Sequence, residues 1–174
     1  MKNPMRNRAA LSTLLLLLLL GFSSIGAAAT TQCPSQYLNG VAPDIVNQKL
    51  AVKTRELCYD NFAVMHSGVS RTPLWSAEHL TGQNIFDGKH IKRPNKFHPE
   101  AQLPKSERSE LNDYAHSGFD RGHMAPNGDM PTAEAKDQCF TLANMVPQNH
   151  INNTQLWEHI EGTVRKLATQ EGEL

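Results

Sequence analysis

The stretch Phe119-Asp120-Arg121-Gly122-His123-Met124-Ala125-Pro126 sets an acid, a guanidinium, a glycine and an imidazole in four consecutive positions. A neutral imidazole is the natural proton acceptor near pH 7, because its ordinary titration lies close by and its surroundings can hold it uncharged. Arg121 can neutralise an anion such as a phosphate oxygen. Gly122 lets the backbone be approached closely or take a positive φ, so that the side chains on either side of it can leave toward one centre. By itself the string also suits a polar surface turn, and a site requires partners elsewhere in the chain.

Those partners stand about twenty residues on, in the run from Leu142 to Glu161. Asn144 opens an Asn-Met-Val-Pro-Gln segment, and Asn153, Trp157 and Glu161 then follow at steps of four. Leu156, Trp157, Ile160, Val164 and Leu167 recur at three- and four-residue steps, which predicts one amphipathic helix beginning near Asn152 or Asn153. Asn152 with Gln155 suits a capping box at its start. On such a helix Asn153, Trp157 and Glu161 fall along one broad edge, about 40° apart per step. Asn153 could equally be a cap, Trp157 a core residue and Glu161 a solvated one.

The two stretches together resemble the DNA/RNA non-specific endonuclease family, sugar-non-specific nucleases with a ββα-metal core. Asp120 to His123 match its Asp-Arg-Gly-His motif, and Asn144 to Gln148 its Asn-x-x-Pro-Gln segment. Asn153 matches its metal-binding Asn nine positions on, and Trp157 and Glu161 fall at the family spacing. The resemblance also implies a phosphate-binding arginine upstream, six residues before a proline, an arrangement met by Arg93 and Pro99. Arg71 fits that pattern less well.

The resemblance implies a metal-dependent endonuclease that hydrolyses phosphodiester bonds of DNA, RNA or both without sequence specificity. His123 would be the general base, and Asn153 the one direct protein ligand of Mg²⁺, with Mn²⁺ as the alternative. Glu161 would hold a water of that ion, Arg93 and Arg121 would neutralise phosphate, Asn144 would orient the site, and Asp120 would fix its loop. A cation that keeps most of its water and takes few protein oxygens is the ordinary behaviour of Mg²⁺. Other chemistries find no pattern: the eight histidines form no zinc spacing, and the Gly-x-Ser-x-Gly turn of a serine hydrolase is absent.

The elements that must position these groups follow from the rest of the chain. Residues 1–29 combine Lys2, Arg6 and Arg8, an apolar run containing Leu14 to Leu20, and the small residues Ala27 to Ala29, the pattern of a signal peptide. A secreted or periplasmic location, with no membrane contact after cleavage, is the expectation. Without that segment 14 Lys and Arg face 17 Asp and Glu, a net charge of −3. This is not the basic footprint of a protein that holds nucleic acid by bulk charge, so phosphate binding must be local. Residues 30–174 suffice for one domain with its own core. Of the three cysteines, Cys33 with Cys58 is the pairing read here, tying the N-terminal part of that domain to its first strand. Cys139 lies in the apolar run Cys139-Phe140-Thr141-Leu142 and reads as a buried small hydrophobe.

Within the domain, residues 34–54 show turn formers and a weak helical pattern at Ile45, Leu50 and Val52. Phe62 to His66 and Pro73 to His79 read as two antiparallel strands. Residues 80–117 read as a long polar connection with Lys92 to Glu100 inside it. The fold class expected is α+β, a ββα-metal nuclease fold with an antiparallel sheet. Since the family usually continues with further strands beyond the metal helix, the expectation includes a C-terminally truncated domain. The rival reading is a catalytically impaired fragment that only binds nucleic acid weakly.

Overall fold

The computed structural model describes residues 30–174; the segment read as a signal peptide lies outside them. Strands β1 (Thr54–Cys58), β2 (Ala63–Ser67) and β3 (Thr72–Ala77) form an antiparallel sheet in that order. The middle strand is buried on both faces at Ala63, Val64, His66 and Ser67, as a central strand must be when layers cover both sides. Arg71, with a φ of 61°, closes the turn to β3 by donating its N–H to Ser67 O at 2.7 Å. Cys33 is paired with Cys58 at the end of β1, their Cα atoms 5.5 Å apart.

Two sequence expectations are corrected here. The weak helical pattern of Ile45, Leu50 and Val52 forms no helix, and Leu50 and Val52 are exposed. Residues 80–117 are not a featureless connection. They contain α1 (Gly82–Gly88), whose cap Thr81 accepts from the Asn84 N–H at 3.0 Å, and the short α2 (Leu111–Tyr114) with a Glu110–Asp113 capping box. Gly88 ends α1 so close to Met130 O that no Cβ could fit, and α1 packs against the last helix.

A separate two-stranded ribbon carries the motif residues. Strand β4 (Asp120–His123) pairs antiparallel with β5 (Met145–Gln148), with Asp120 opposite Gln148 and His123 opposite Met145. Helix α3 (Ala133–Gln138) lies in the connection. Beyond β5 the chain turns into a helix through a π-helical segment, Asn152–Trp157, that continues as α4 (Glu158–Glu171). The cap differs from the one read in the sequence. Asn149 Oδ1, rather than Asn152, accepts from the backbone N–H groups of Ile151 and Asn152, at 3.0 and 3.3 Å.

The core lies where β2 meets the β4–β5 connection, with Phe62 and Val64 against Met130, Ala135, Cys139, Phe140 and Ala143. Burial pushes the Cys139 thiol up to about 11, so it packs as a hydrophobe and is inert as a nucleophile. Along the π-helical segment and α4, Ala168 is buried and Trp157 and Val164 half-buried, while Leu156, Ile160 and Leu167 are exposed. No helix among the described residues is long and apolar enough to cross a membrane.

Candidate active site

His123 ends β4 with its ring edge-on to Phe140, centroids 4.9 Å apart, and tilted against Phe97 at 5.8 Å. These rings leave it 8% exposed. Burial first, and the positive charge of Arg93 second, lower its pKa to about 3, so the imidazole is neutral near pH 7. Its Nε2 is buried without a hydrogen-bond partner, and the residue borders a cleft of about 360 Å³. A buried nitrogen left unpaired is costly, and such atoms call for a functional account. Its carbonyl accepts from Trp157 Nε1 at 3.1 Å, which ties β4 to the helix.

Asn144, fully buried, fixes the chain on the far side of His123. Its Oδ1 accepts from the Ala125 N–H at 2.9 Å, and its Nδ2 donates to Ala125 O at 2.9 Å and Cys139 O at 3.0 Å. The Met124 N–H donates to Asn144 O at 2.9 Å. Every polar atom of the amide is engaged with backbone, so this side chain orients and does not reach the cleft.

Asn153 lies one turn into the helix, and its Nδ2 donates to Asp120 Oδ2 at 3.0 Å. Only the NH₂ end of an amide can serve a carboxylate, so Oδ1 is left as the outward-facing acceptor. The same Asp120 oxygen meets His150 Nδ1 at 2.9 Å. The Asn153 hydrogen bond, and after it His150, hold the Asp120 carboxyl below its ordinary range. Eight residues at 3.6 per turn would set Asn153 and Glu161 about 80° apart. The wider π turn between them takes up that phase difference, and both residues line the His123 cleft.

Two guanidiniums complete the wall. Arg93 stacks over Phe140 at 4.8 Å and Arg121 over Phe97 at 4.1 Å. Both border the cleft. Arg71, the competitor in sequence, pairs with Asp113 at 3.3 Å and lines no part of it.

Sequence reasoning missed the floor under Glu161. Arg165, one turn on, donates to the buried Asp129 Oδ1 at 2.9 Å and lies 3.7 Å from Glu161 Oε2. Burial pushes the Glu161 carboxyl up and Arg165 pulls it down. Asp129 Oδ2 is buried without a donor among the ionised groups around it. Burial first, and the neighbouring Asp129 second, push the Glu78 carboxyl well up, and burial raises Asp129 as well. The four-residue step from Glu161 to Arg165 was a legible ion-pair signal; Glu78 and Asp129, far apart in the chain, gave none.

The family model for DNA/RNA non-specific endonuclease matches residues 43–174 of this chain. Nuclease C1 of Cunninghamella echinulata var. echinulata is 40% identical over 112 residues, covering 63% of this chain and 44% of that protein. The mitochondrial nuclease EXOG of Homo sapiens is 34% identical over 143 residues, covering 75% of this chain and 38% of its own length. The solved structure of the EndoG/EndoGI complex aligns with a TM-score of 0.62 at 30% identity, over 65% of this chain and 47% of that one. The chain thus spans less than half the length of these relatives. The match gives the β4–β5–α4 unit its fold class, α+β of the ββα-metal type. The expected secreted or periplasmic location is overturned: EXOG of Danio rerio and Homo sapiens and the relatives from Schizosaccharomyces pombe and Saccharomyces cerevisiae are named mitochondrial nucleases.

Proposed function

We propose, since the chain belongs to the DNA/RNA non-specific endonuclease family, that residues 30–174 form a nuclease domain that cleaves phosphodiester bonds of DNA or RNA without sequence specificity. The observation that carries this reading is that His123, held neutral, and Asn153, whose Nδ2 is engaged by Asp120, border one cleft walled by Arg93 and Arg121.

Hydrolysis requires a proton acceptor for the attacking water, neutralisation of the phosphoryl oxygens and help for the departing 3′ oxygen. The His123 imidazole accepts the proton. Its free-state basicity is low because of burial and Arg93. A phosphate bound on Arg93 offsets that positive charge and raises the imidazole's basicity at the moment a proton must be taken. Arg93 and Arg121 meet the phosphoryl oxygens, their planes held on Phe140 and Phe97, so little side-chain freedom is lost on binding.

The donors fit a hard divalent cation such as Mg²⁺. Asn153 Oδ1 is a neutral oxygen freed by the Asp120 bond, and Glu161 supplies a carboxylate from the same edge. When bound there, such an ion supplies charge stabilisation for the phosphoryl group and the leaving oxygen. Asp120 holds the Asn153 amide, and Arg165 with Asp129 holds Glu161.

Plasmid nicking by the full chain tests this. Conversion of supercoiled to open-circular DNA in Mg²⁺, abolished by EDTA and by His123→Ala, is the expected result. No cleavage with Mg²⁺ or Mn²⁺ would sink the reading.

A further inference from the structure

Next to the His123 cleft lies a second one of about 440 Å³, which shares Arg93, Arg121 and Asn153 with the first and adds Asp120, Phe119 and Leu111. Phe119 is 52% exposed and Leu111 43% exposed. We propose that this second cleft is a nucleobase subsite, in which a base of the bound strand stacks on Phe119 with Leu111 as the opposite wall. The inference rests on the nuclease reading and adds to it the group recognised beside the phosphate.

The geometry is built rather than incidental. Phe119 stands just before β4 and lines this cleft together with Arg121, while Arg121, Arg93 and Asn153 also border the His123 cleft. The base-facing ring, the phosphate-facing guanidiniums and the proton acceptor are therefore spread over two adjoining clefts joined by the arginines. The turn that presents Phe119 is fixed. His116 and Gly118 take positive φ of 56° and 80°, and Ser117 Oγ accepts from the Phe119 N–H at 3.2 Å while donating to Tyr114 O at 2.9 Å. Tyr114 OH in turn donates to Met145 O at 3.2 Å, anchoring the cleft wall to β5. A ring held this way needs little ordering when a ligand arrives.

Charge gives the cleft its occupant. Outside residues 1–29 the chain carries −3, so general electrostatics cannot hold a polyanion against the local site. Stacking is the complementary attraction: it takes any base, because every base has a π-face. This matches a cleft that sets an exposed aromatic residue beside two arginines.

The test is binding of an eight-nucleotide single strand, and of the same strand with abasic positions, to the full chain carrying His123→Ala in Mg²⁺. Phe119→Ala should weaken binding of the intact strand roughly 5- to 150-fold, the range of one stacked base, and Phe119→Trp should restore it. On abasic strands the chain with Phe119 and the chain carrying Phe119→Ala should bind alike. Equal losses on intact and abasic strands, or no rescue by Phe119→Trp, would overturn the subsite in favour of a structural role for Phe119. A chain that nicks plasmid but shows no base–ring coupling removes this subsite alone; one that neither nicks plasmid nor binds the strand removes the nuclease reading with it.

Discussion

Asn153 Nδ2 donates to Asp120 Oδ2 across 3.0 Å, joining the first turn of the long helix to the first residue of β4. The bond selects which end of the amide faces the cleft, and it makes Asp120 a positioning residue for a ligand oxygen. Asp120→Ala should therefore raise the Mg²⁺ concentration for half-maximal cleavage by about 10-fold or more. Asn153→Ala should lose most activity and recover part of it at high Mg²⁺. Because Asn149 caps the helix, Asn153→Ala should leave the melting temperature within about 2 °C of the parent. An unchanged Mg²⁺ dependence in Asp120→Ala would reduce that residue to a loop brace.

His123 sets the acid behaviour. Its pKa in the folded chain is lowered to about 3 against an ordinary 6.5, so the unfolded chain takes up a proton below about pH 6.5 that the folded chain refuses. The sign follows: folding free energy is unaffected by this group above pH 6.5 and falls, by on the order of a few kcal/mol, as pH drops toward 3. Denaturant midpoints between pH 7 and pH 4 should decline less steeply in His123→Asn than in the parent. Cleavage should also show no acid limb near pH 6.5, and one found there would mean that Nε2 is solvated.

His123, Asn144, Asn153 and Glu161 stood out in the linear chain because their types and spacing match the family's pattern; the structure sets His123, Asn153 and Glu161 on one cleft and engages the Asn144 amide with backbone instead. Strands β2 and β3 were legible as short runs with apolar residues bounded by turn residues. The cap was not. Asn149, Asn152 and Asn153 can all accept from a helix start, and the choice falls to Asn149 because β5 pairs with Asp120 only as far as Gln148. Helix α1 was hidden because it is short and polar, and its stabilisation comes from packing on α4. The rings of Phe97 and Phe140 that keep His123 neutral lie far from it in sequence, and no local pattern announces such contacts.

Gly122 ties sequence to register. A Cβ added there would overlap the side chain of Gln148 on the paired strand. Gly122→Ala should cost about 1–3 kcal/mol of stability and lower cleavage at least tenfold, since β4 carries both Arg121 and His123. Partial recovery with Gln148→Ala would locate the clash, and a fully active single variant would show that the ribbon shifts freely.

Glu78 offers the opposite sign. Burial and the neighbouring Asp129 push its carboxyl well up. Unfolding releases its proton between the ordinary carboxylate range and the folded value, so its contribution to stability is complete below about pH 4.5 and is lost as pH rises through the folded value. Glu78→Gln keeps a donor for the unpaired Asp129 Oδ2 and removes the ionisation. The variant should match the parent near pH 4.5 and exceed it at pH 8, by on the order of 1 kcal/mol or ~2–4 °C in melting temperature. Because Asp129 holds Arg165, and Arg165 faces Glu161, cleavage should persist in Glu78→Gln and fall in Asp129→Ala. A Glu78→Gln chain less stable than the parent at pH 8 would mean that Glu78 is ionised and serves as a counter-charge to Arg165.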